Sequence, residues 1–271
     1  MTPAQPVTES SPVYDNNGQY SRRGILRYEK IFGDGYVSTG GPETTLHLCS
    51  LLGEKLRPGV RVLDVGSGIG GAGLHLAREF GAIVTGIDLS PEMVAIAQER
   101  ARGADAGGKG SMTTLLGDVM EIPRGETFDV IWSRDALMHV HDKPALFSRL
   151  YELTALGGRL VITDYARGTS EGSAEFRAYI EKTGYHVLDP ATYGKRLEEA
   201  GFVDVVAEDA TAMFLDIMKR ESDRLLANPD DFLAAFGEED LTYLRERWAM
   251  KDGFCKAGDM KWGIYQATRS L

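Results

Sequence analysis

The run Val62-Leu63-Asp64-Val65-Gly66-Ser67-Gly68-Ile69-Gly70-Gly71 is the part of this chain whose residue types and spacing most directly specify chemistry. Gly66 and Gly68 can turn the backbone tightly and admit a ligand to distances that a Cβ would forbid. A helix starting after them would present free N–H groups and the positive end of its dipole. Gly66, Gly68 and Gly71 also satisfy the dinucleotide pattern G-x-G-x-x-G, so the loop alone leaves several adenosine ligands open. Asp88 ends the next apolar run about twenty residues on, where a carboxylate can hold two ribose hydroxyls, and Leu89 follows it. Asp118 and Val119 close a third run, placing a second acid where an adenine amino group could donate to it, and Asp64 adds a third. Three acids around one ligand suit a cationic sulfonium and oppose a pyrophosphate. The sign of the field therefore favours S-adenosylmethionine over NAD.

A methyl donor needs an acceptor that is aligned with it and, if it is an amine, deprotonated. His139 is the candidate proton acceptor, because imidazole can be neutral at physiological pH. Asp135 lies one turn before it if the intervening segment is helical. His139-Val140-His141-Asp142 lacks identifiable third and fourth ligands, so no metal is expected. His47, His75 and His186 carry no role by context. Tyr165, Tyr179 and Tyr185 read equally as core aromatics or as faces around a quaternary ammonium. The latter two could line one wall only if their helix bends or ends between them, which Gly184 permits.

The elements that must position these residues alternate between strand and helix. Apolar runs at Arg61–Val65, Ile83–Ile87, Ser111–Leu116, Phe128–Ser133 and Arg159–Tyr165 predict strands, and Trp262–Thr268 a last one. Helices are predicted over Tyr20–Phe32, Pro42–Leu52, Leu74–Phe80, Ser90–Arg100 and Pro144–Leu156, the second with proline in its first turn. This alternation implies a doubly wound, mostly parallel α/β sheet. Beyond Val205 it fails: Ala212–Ala227, Asp230–Phe236 and Glu238–Met250 all carry helical periodicity. A helical insertion before the last strand sits over the carboxyl edge of such sheets, which makes it a candidate lid.

The 271 residues suffice for one large domain. With 30 Lys plus Arg against 40 Asp plus Glu the formal charge is −10, which disfavours a general nucleic-acid binder. Cys49 and Cys255 are the only cysteines, which excludes a disulfide framework and a cysteine-rich zinc site. The polar start MTPAQPVTESSP shows no secretory signal, and no stretch is long enough to span a bilayer. The expectation is a cytoplasmic protein with a disordered tail over 1–15, a small-molecule substrate, no nucleic-acid or membrane partner, and a monomeric or weakly homo-oligomeric state.

The form D-x-G-x-G-x-G at Asp64 to Gly70, with Asp88 and Gly117-Asp118, resembles class I S-adenosylmethionine-dependent methyltransferases. Further segments resemble, in order, those of the phosphoethanolamine N-methyltransferases. They are Gly18-Gln19-Tyr20, Tyr28 to Gly33, Tyr36 to Gly41, Trp132-Ser133-Arg134-Asp135-Ala136-Leu137-Met138-His139, Ile162 to Tyr165 and Trp262-Gly263. The resemblance covers nearly all of the chain beyond its first fifteen residues. It implies a seven-stranded Rossmann-like methyltransferase fold over 54–271, an N-terminal helical lid segment over 16–53 and a helical insertion at about 211–257.

It further implies that Tyr20 and His139 hydrogen-bond across the bound ligands. Val37, Ser38, Ser133 and Arg134 would contact the cofactor beside Asp64, Gly66, Gly68, Gly70, Asp88, Leu89, Asp118 and Val119. Asp135, with Gln19 beside it, would meet the substrate amine, and Tyr165, Tyr179, Tyr185 and Lys251 its phosphate. One position departs from the pattern. An arginine expected between the last two tyrosines falls on Thr183. A charged hydrogen bond is worth about 1.5–3 kcal/mol, so its loss would weaken a phosphate ligand by about tenfold to a hundredfold. That departure keeps open a carboxylate zwitterion as acceptor (sarcosine, dimethylglycine or methionine). A dinucleotide-dependent oxidoreductase would share the glycines and Asp88 but explains neither Asp118 nor the N-terminal segment. A binding module without turnover has no residue in its favour.

Overall fold

Val62, Leu63 and Val65 form a short apolar run interrupted only by Asp64, the pattern of a strand buried on both faces. In the computed structural model, which describes residues 18–103, 109–227 and 229–271, this run is the central strand β1 (Arg61–Val65). The tail expected over residues 1–15 lies outside the described residues. Helices α1 (Arg22–Phe32) and α2 (Gly41–Leu52) precede β1. After it come α3 (Gly71–Phe80), β2 (Ile83–Asp88), α4 (Pro91–Gly103), β3 (Ser111–Leu116), β4 (Phe128–Arg134), α5 (Lys143–Leu153) and β5 (Thr154–Arg167). The chain continues through α6 (Ala174–Thr183), α7 (Pro190–Glu199), β6 (Val203–Asp209), α8 (Thr211–Ala227), α9 (Asp230–Ala257) and β7 (Met260–Thr268).

The sheet order is β3-β2-β1-β4-β5-β7-β6. Strands β1 to β5 pair with one another in parallel, and β7 runs antiparallel between β5 and β6. Strand order reverses between β1 and β4, and a ligand crevice forms outside the carboxyl ends of strands at such a point. Period-2 side-chain alternation divides the core between the two faces. Val62, Val130 and Val161 pack with the N-terminal and C-terminal helices, whereas Leu63, Ile131 and Leu160 pack against α5 and α7.

The helices begin and end where local chemistry directs. Ser21 caps α1 by accepting from the Gly24 amide, and Ser173 caps α6 by accepting from Phe176. Gly184, in the left-handed region, ends α6. Helix α5 ends at Leu153, three residues earlier than its periodicity predicts, because β5 already begins at Thr154. The two helices predicted around Gly237 are one run, α9, broken at that glycine (φ 82°, ψ 177°) and continuing to Ala257. Helix α7 and strand β6 had no counterpart in the sequence reading, and α6 entered it only as the helix expected to bend or end between Tyr179 and Tyr185. Strand β6 is largely exposed and pairs only with β7, so its apolar signal is weak. Among the described residues no helix is long and apolar enough to cross a membrane.

Candidate active site

The glycine loop opens one end of a single long cavity at the switch point. Gly66 has φ 70°, and a Cβ there would lie 2.3 Å from the Cβ of Ala136. At Gly71 a Cβ would lie 2.2 Å from the carbonyl oxygen of Gly35, so the N-terminal segment closes directly over the start of α3. Gly70 is the left-handed N-cap of α3 and stands outside the lining, which makes its part conformational. Asp64, Asp88 and Asp118 all line the cavity, with Gly66, Gly68, Leu89 and Val119 between them. Asp88 Oδ2 accepts from the Gly68 amide and Oδ1 from the Ser90 amide, each at 2.8 Å, so the same carboxylate shapes the loop that it faces. Asp118 Oδ1 accepts from the Met120 amide at 2.9 Å. Asp64 Oδ2 is buried with no hydrogen-bond partner among the described residues. Burial, reinforced by Asp88 and opposed by Arg134, pushes its pKa up to about 7.

In the middle of the cavity the Tyr20 hydroxyl and His139 Nε2 are 2.9 Å apart, joining the N-terminal segment to the 3-10 turn Leu137–His139. Lys143 Nζ fixes this turn from beneath by donating to the Leu137 and Val140 carbonyls, at 2.6 and 2.8 Å. Asp164 Oδ1 accepts from the Met138 amide. Asp135 is not one α-helical turn before His139, as a helix there would require. It follows the last residue of β4 with φ 49°, and the intervening turn is 3-10. Its Oδ1 accepts from Thr163 Oγ1 (2.9 Å) and Trp262 Nε1 (2.8 Å), and its Oδ2 from the Thr39 amide (3.0 Å). Gln19, Val37 and Ser38 line the same stretch. His141 packs edge-on against His186, with ring centroids 4.6 Å apart, and neither lines this cavity.

Burial, with Lys143 and His186 adding positive charge, lowers the His139 pKa from 6.5 to about 4. The unfolded chain therefore binds a proton near pH 6.5 that the folded chain refuses until about pH 4. The neutral imidazole contributes stability above pH 6.5, and that contribution is lost as pH falls towards 4. Melting temperatures at pH 7 and pH 5 for the wild type and His139→Gln test this: the wild type should lose more on acidification. Parallel losses would contradict it.

Two residues assigned to the cofactor by resemblance are committed elsewhere. Ser133 is fully buried outside the lining, and its hydroxyl donates to the Val65 carbonyl at 2.7 Å, tying β4 to β1. Arg134 reaches the cavity, but its guanidinium donates to Gly41 O (2.9 Å), Thr45 Oγ1 (2.6 Å) and Thr39 O (2.5 Å). It clamps the N-terminal segment onto the sheet. A lysine cannot reproduce that fork. Arg134→Lys should lower stability by about 2–4 kcal/mol, at about 1–3 kcal/mol for each buried acceptor left unpaired. Denaturant unfolding that shows no loss would contradict the clamp.

The far end of the cavity is lined by Tyr165, Tyr185, Lys251 and Arg247. Lys251 Nζ donates to the Tyr165 hydroxyl at 2.7 Å. Burial and the neighbouring Arg247 lower its pKa to about 7. Tyr179 stands behind Tyr185, ring centroids 5.9 Å apart, and is not part of the lining. Helix α6 does end between these two tyrosines, at Gly184. Thr183 is buried and donates back to the Tyr179 carbonyl at 2.8 Å, so that position offers no cation. Arg247 was not singled out in the sequence, and Trp262 and Thr39 stood there only within resembling segments, with no role of their own. For Arg247 the available signal was its place four residues before Lys251 on one helical face.

The fold and its glycine-loop cleft are those of a Rossmann-like methyltransferase domain, and a methyltransferase domain family matches residues 62–158. Phosphoethanolamine N-methyltransferase of Plasmodium falciparum is 31% identical over 266 residues, which cover 96% of this chain and 97% of that protein. The chain belongs to the phosphoethanolamine N-methyltransferase family. Phosphoethanolamine N-methyltransferase 1 of Triticum aestivum is 46% identical over 255 residues, 94% of this chain and 50% of the relative. The chain thus spans about half the length of that curated plant relative. The solved structure of Haemonchus contortus phosphoethanolamine N-methyltransferase 2, in complex with phosphomonomethylethanolamine and S-adenosylhomocysteine, superposes with a TM-score of 0.90 at 31% identity. That match covers 97% of this chain and 61% of the other.

Proposed function

We propose that this chain methylates the amine of phosphoethanolamine, or of its mono- and dimethyl forms, with S-adenosylmethionine as methyl donor. One observation carries the reading: the order of charge along a single cavity. Carboxylates stand at the glycine loop, the Tyr20–His139 pair and Asp135 in the middle, and Lys251 with Arg247 at the far end. A cation, an amine and a phosphate match that order end to end.

The donor fits the residues present. The unpartnered Asp64 carboxylate suits a cationic ligand, and Gly66 and Gly68, both at positive φ, line the cavity with bare backbone. Asp88 would hold the ribose hydroxyls and Asp118 the adenine amino group, with Val37, Ser38, Leu89 and Val119 flanking them. When bound, this group supplies an electrophilic methyl. The chain's own part is to align the amine, exclude water and take a proton. The Asp135 carboxylate, held by three donors, would orient the amine, with Gln19 beside it. Neutral His139, reached directly or through the Tyr20 hydroxyl, would accept the proton that the amine must lose. Tyr165 and Tyr185, backed by Tyr179, offer aromatic faces to a methylated ammonium, and Lys251 offers charge to the phosphate.

A methyl-transfer assay with labelled S-adenosylmethionine and phosphoethanolamine, sarcosine, dimethylglycine and methionine tests the reading. The label is expected in phosphoethanolamine. Transfer confined to a carboxylate acceptor would overturn the phosphate assignment, and binding of NAD without S-adenosylhomocysteine in titration calorimetry would overturn the donor.

A further inference from the structure

Arg247 and Lys251 lie four residues apart on α9, so their side chains share one face of the helix, and both line the cavity. Lys251 is anchored through Tyr165. Arg247 has no such anchor. Its Nε is buried without a hydrogen-bond partner among the described residues, and its guanidinium lies 5.5 Å from the centroid of the Tyr243 ring. The Tyr28, Tyr179 and Tyr185 hydroxyls share its surroundings. No carboxylate among the described residues pairs with it. The acids nearby are committed: Glu221 accepts from the Gly40 amide at 2.8 Å and from Trp248 Nε1 at 3.3 Å. Asp135 is held by Thr39, Thr163 and Trp262. Asp240, two turns back on α9, pairs with Arg23 and Arg27. The guanidinium and the ammonium face one cavity and repel each other, which Asp135 and Glu221 offset only in part at Lys251, so an anion between them would relieve the repulsion.

We propose that Arg247 is a specificity-determining residue: from α9 it grips the acceptor's anionic end together with Lys251. It would supply the charged fork that position 183 lacks. This rests on the reading of a phosphorylated acceptor. The planar guanidinium can donate two parallel hydrogen bonds to a phosphate, which an ammonium cannot. Because it is carried on α9 and not on α6, the phosphate is gripped from the helix that covers the cavity.

The test uses the full chain with S-adenosylhomocysteine bound, titrated with inorganic phosphate and separately with acetate, alongside steady-state kinetics on phosphoethanolamine. Arg247→Ala should weaken phosphate by at least about tenfold to a hundredfold, the value of one of the two charged hydrogen bonds. It should raise KM for phosphoethanolamine by a similar factor, leave kcat within about threefold and leave S-adenosylhomocysteine affinity unchanged. Arg247→Lys should recover part of the phosphate affinity, and Arg247→Gln little of it. Phosphate affinity and KM unchanged in Arg247→Ala and Arg247→Gln would overturn the proposal, as would a wild type that binds phosphate no better than acetate. Failure of the substrate reading looks different. A wild type that binds phosphate through Arg247 but does not methylate phosphoethanolamine loses that substrate and keeps the anion site. A wild type that methylates it with Arg247 dispensable loses only the role of Arg247.

Discussion

His139→Ala should lower kcat for phosphoethanolamine by about 10²- to 10⁴-fold, the usual range for losing a positioned general base. The reason is the proton. A lysine-like amine with a pKa of about 10.4 costs about 4–5 kcal/mol to present as free base at neutral pH, at 1.36 kcal/mol per unit. Burial keeps His139 neutral at pH 7, with its pKa lowered to about 4, so its lone pair is available to share that proton. Its Nε2 lies 2.9 Å from the Tyr20 hydroxyl. Because the two act as a unit, Tyr20→Phe combined with His139→Ala should cost little more than His139→Ala alone. Rapid-quench single turnovers at saturating donor isolate the step. A loss below threefold, or full additivity in the double variant, would contradict a proton-transfer role.

The second large effect belongs to the donor end. Asp88→Ala should weaken S-adenosylhomocysteine by about 10²- to 10⁴-fold, the sum of two charged hydrogen bonds at about 1.5–3 kcal/mol each. The same carboxylate orders the loop through the Gly68 and Ser90 amides. Its removal therefore takes away both a contact to the ligand and the shape of the cradle. Asp118→Ala, which would remove one contact to the adenine and within the protein frees only the Met120 amide of the short 3-10 turn Val119–Glu121, should cost about tenfold. Titration calorimetry on the three proteins gives the comparison directly. Equal losses for the two variants would mean that Asp88 has no part in shaping the loop.

Much of the architecture was legible because its signals are local. The apolar run before Gly66, the acids at the ends of β2 and β3, and the proline and serine caps each follow from a few neighbouring residues. Ser111–Leu116 was read with its observed boundaries. Strand β6 was not legible, because an exposed edge strand is defined by its partner β7 more than by its own side chains. Asp135 shows the limit in the site itself. Its residue type marked it for an amine, but its left-handed backbone and its three donors from distant segments depend on tertiary contacts. Ser133 and Arg134 show the converse. Their motif suggested ligand contact, whereas the hydroxyl and guanidinium are used on backbone carbonyls and a threonine hydroxyl that hold β1, β4 and the N-terminal segment together. Arg247 was hidden for a simpler reason: a cation on an amphipathic helix looks like a solvated residue until the cavity that it faces is known.

The order of charge along the cavity is tested most directly by a crystal structure of the chain with S-adenosylhomocysteine and phosphoethanolamine. The expected density puts the ribose on Asp88, the amine between Asp135 and His139, and the phosphate against Lys251 and Arg247. A phosphate seated at the glycine loop, or an acceptor lying outside this cavity, would contradict it.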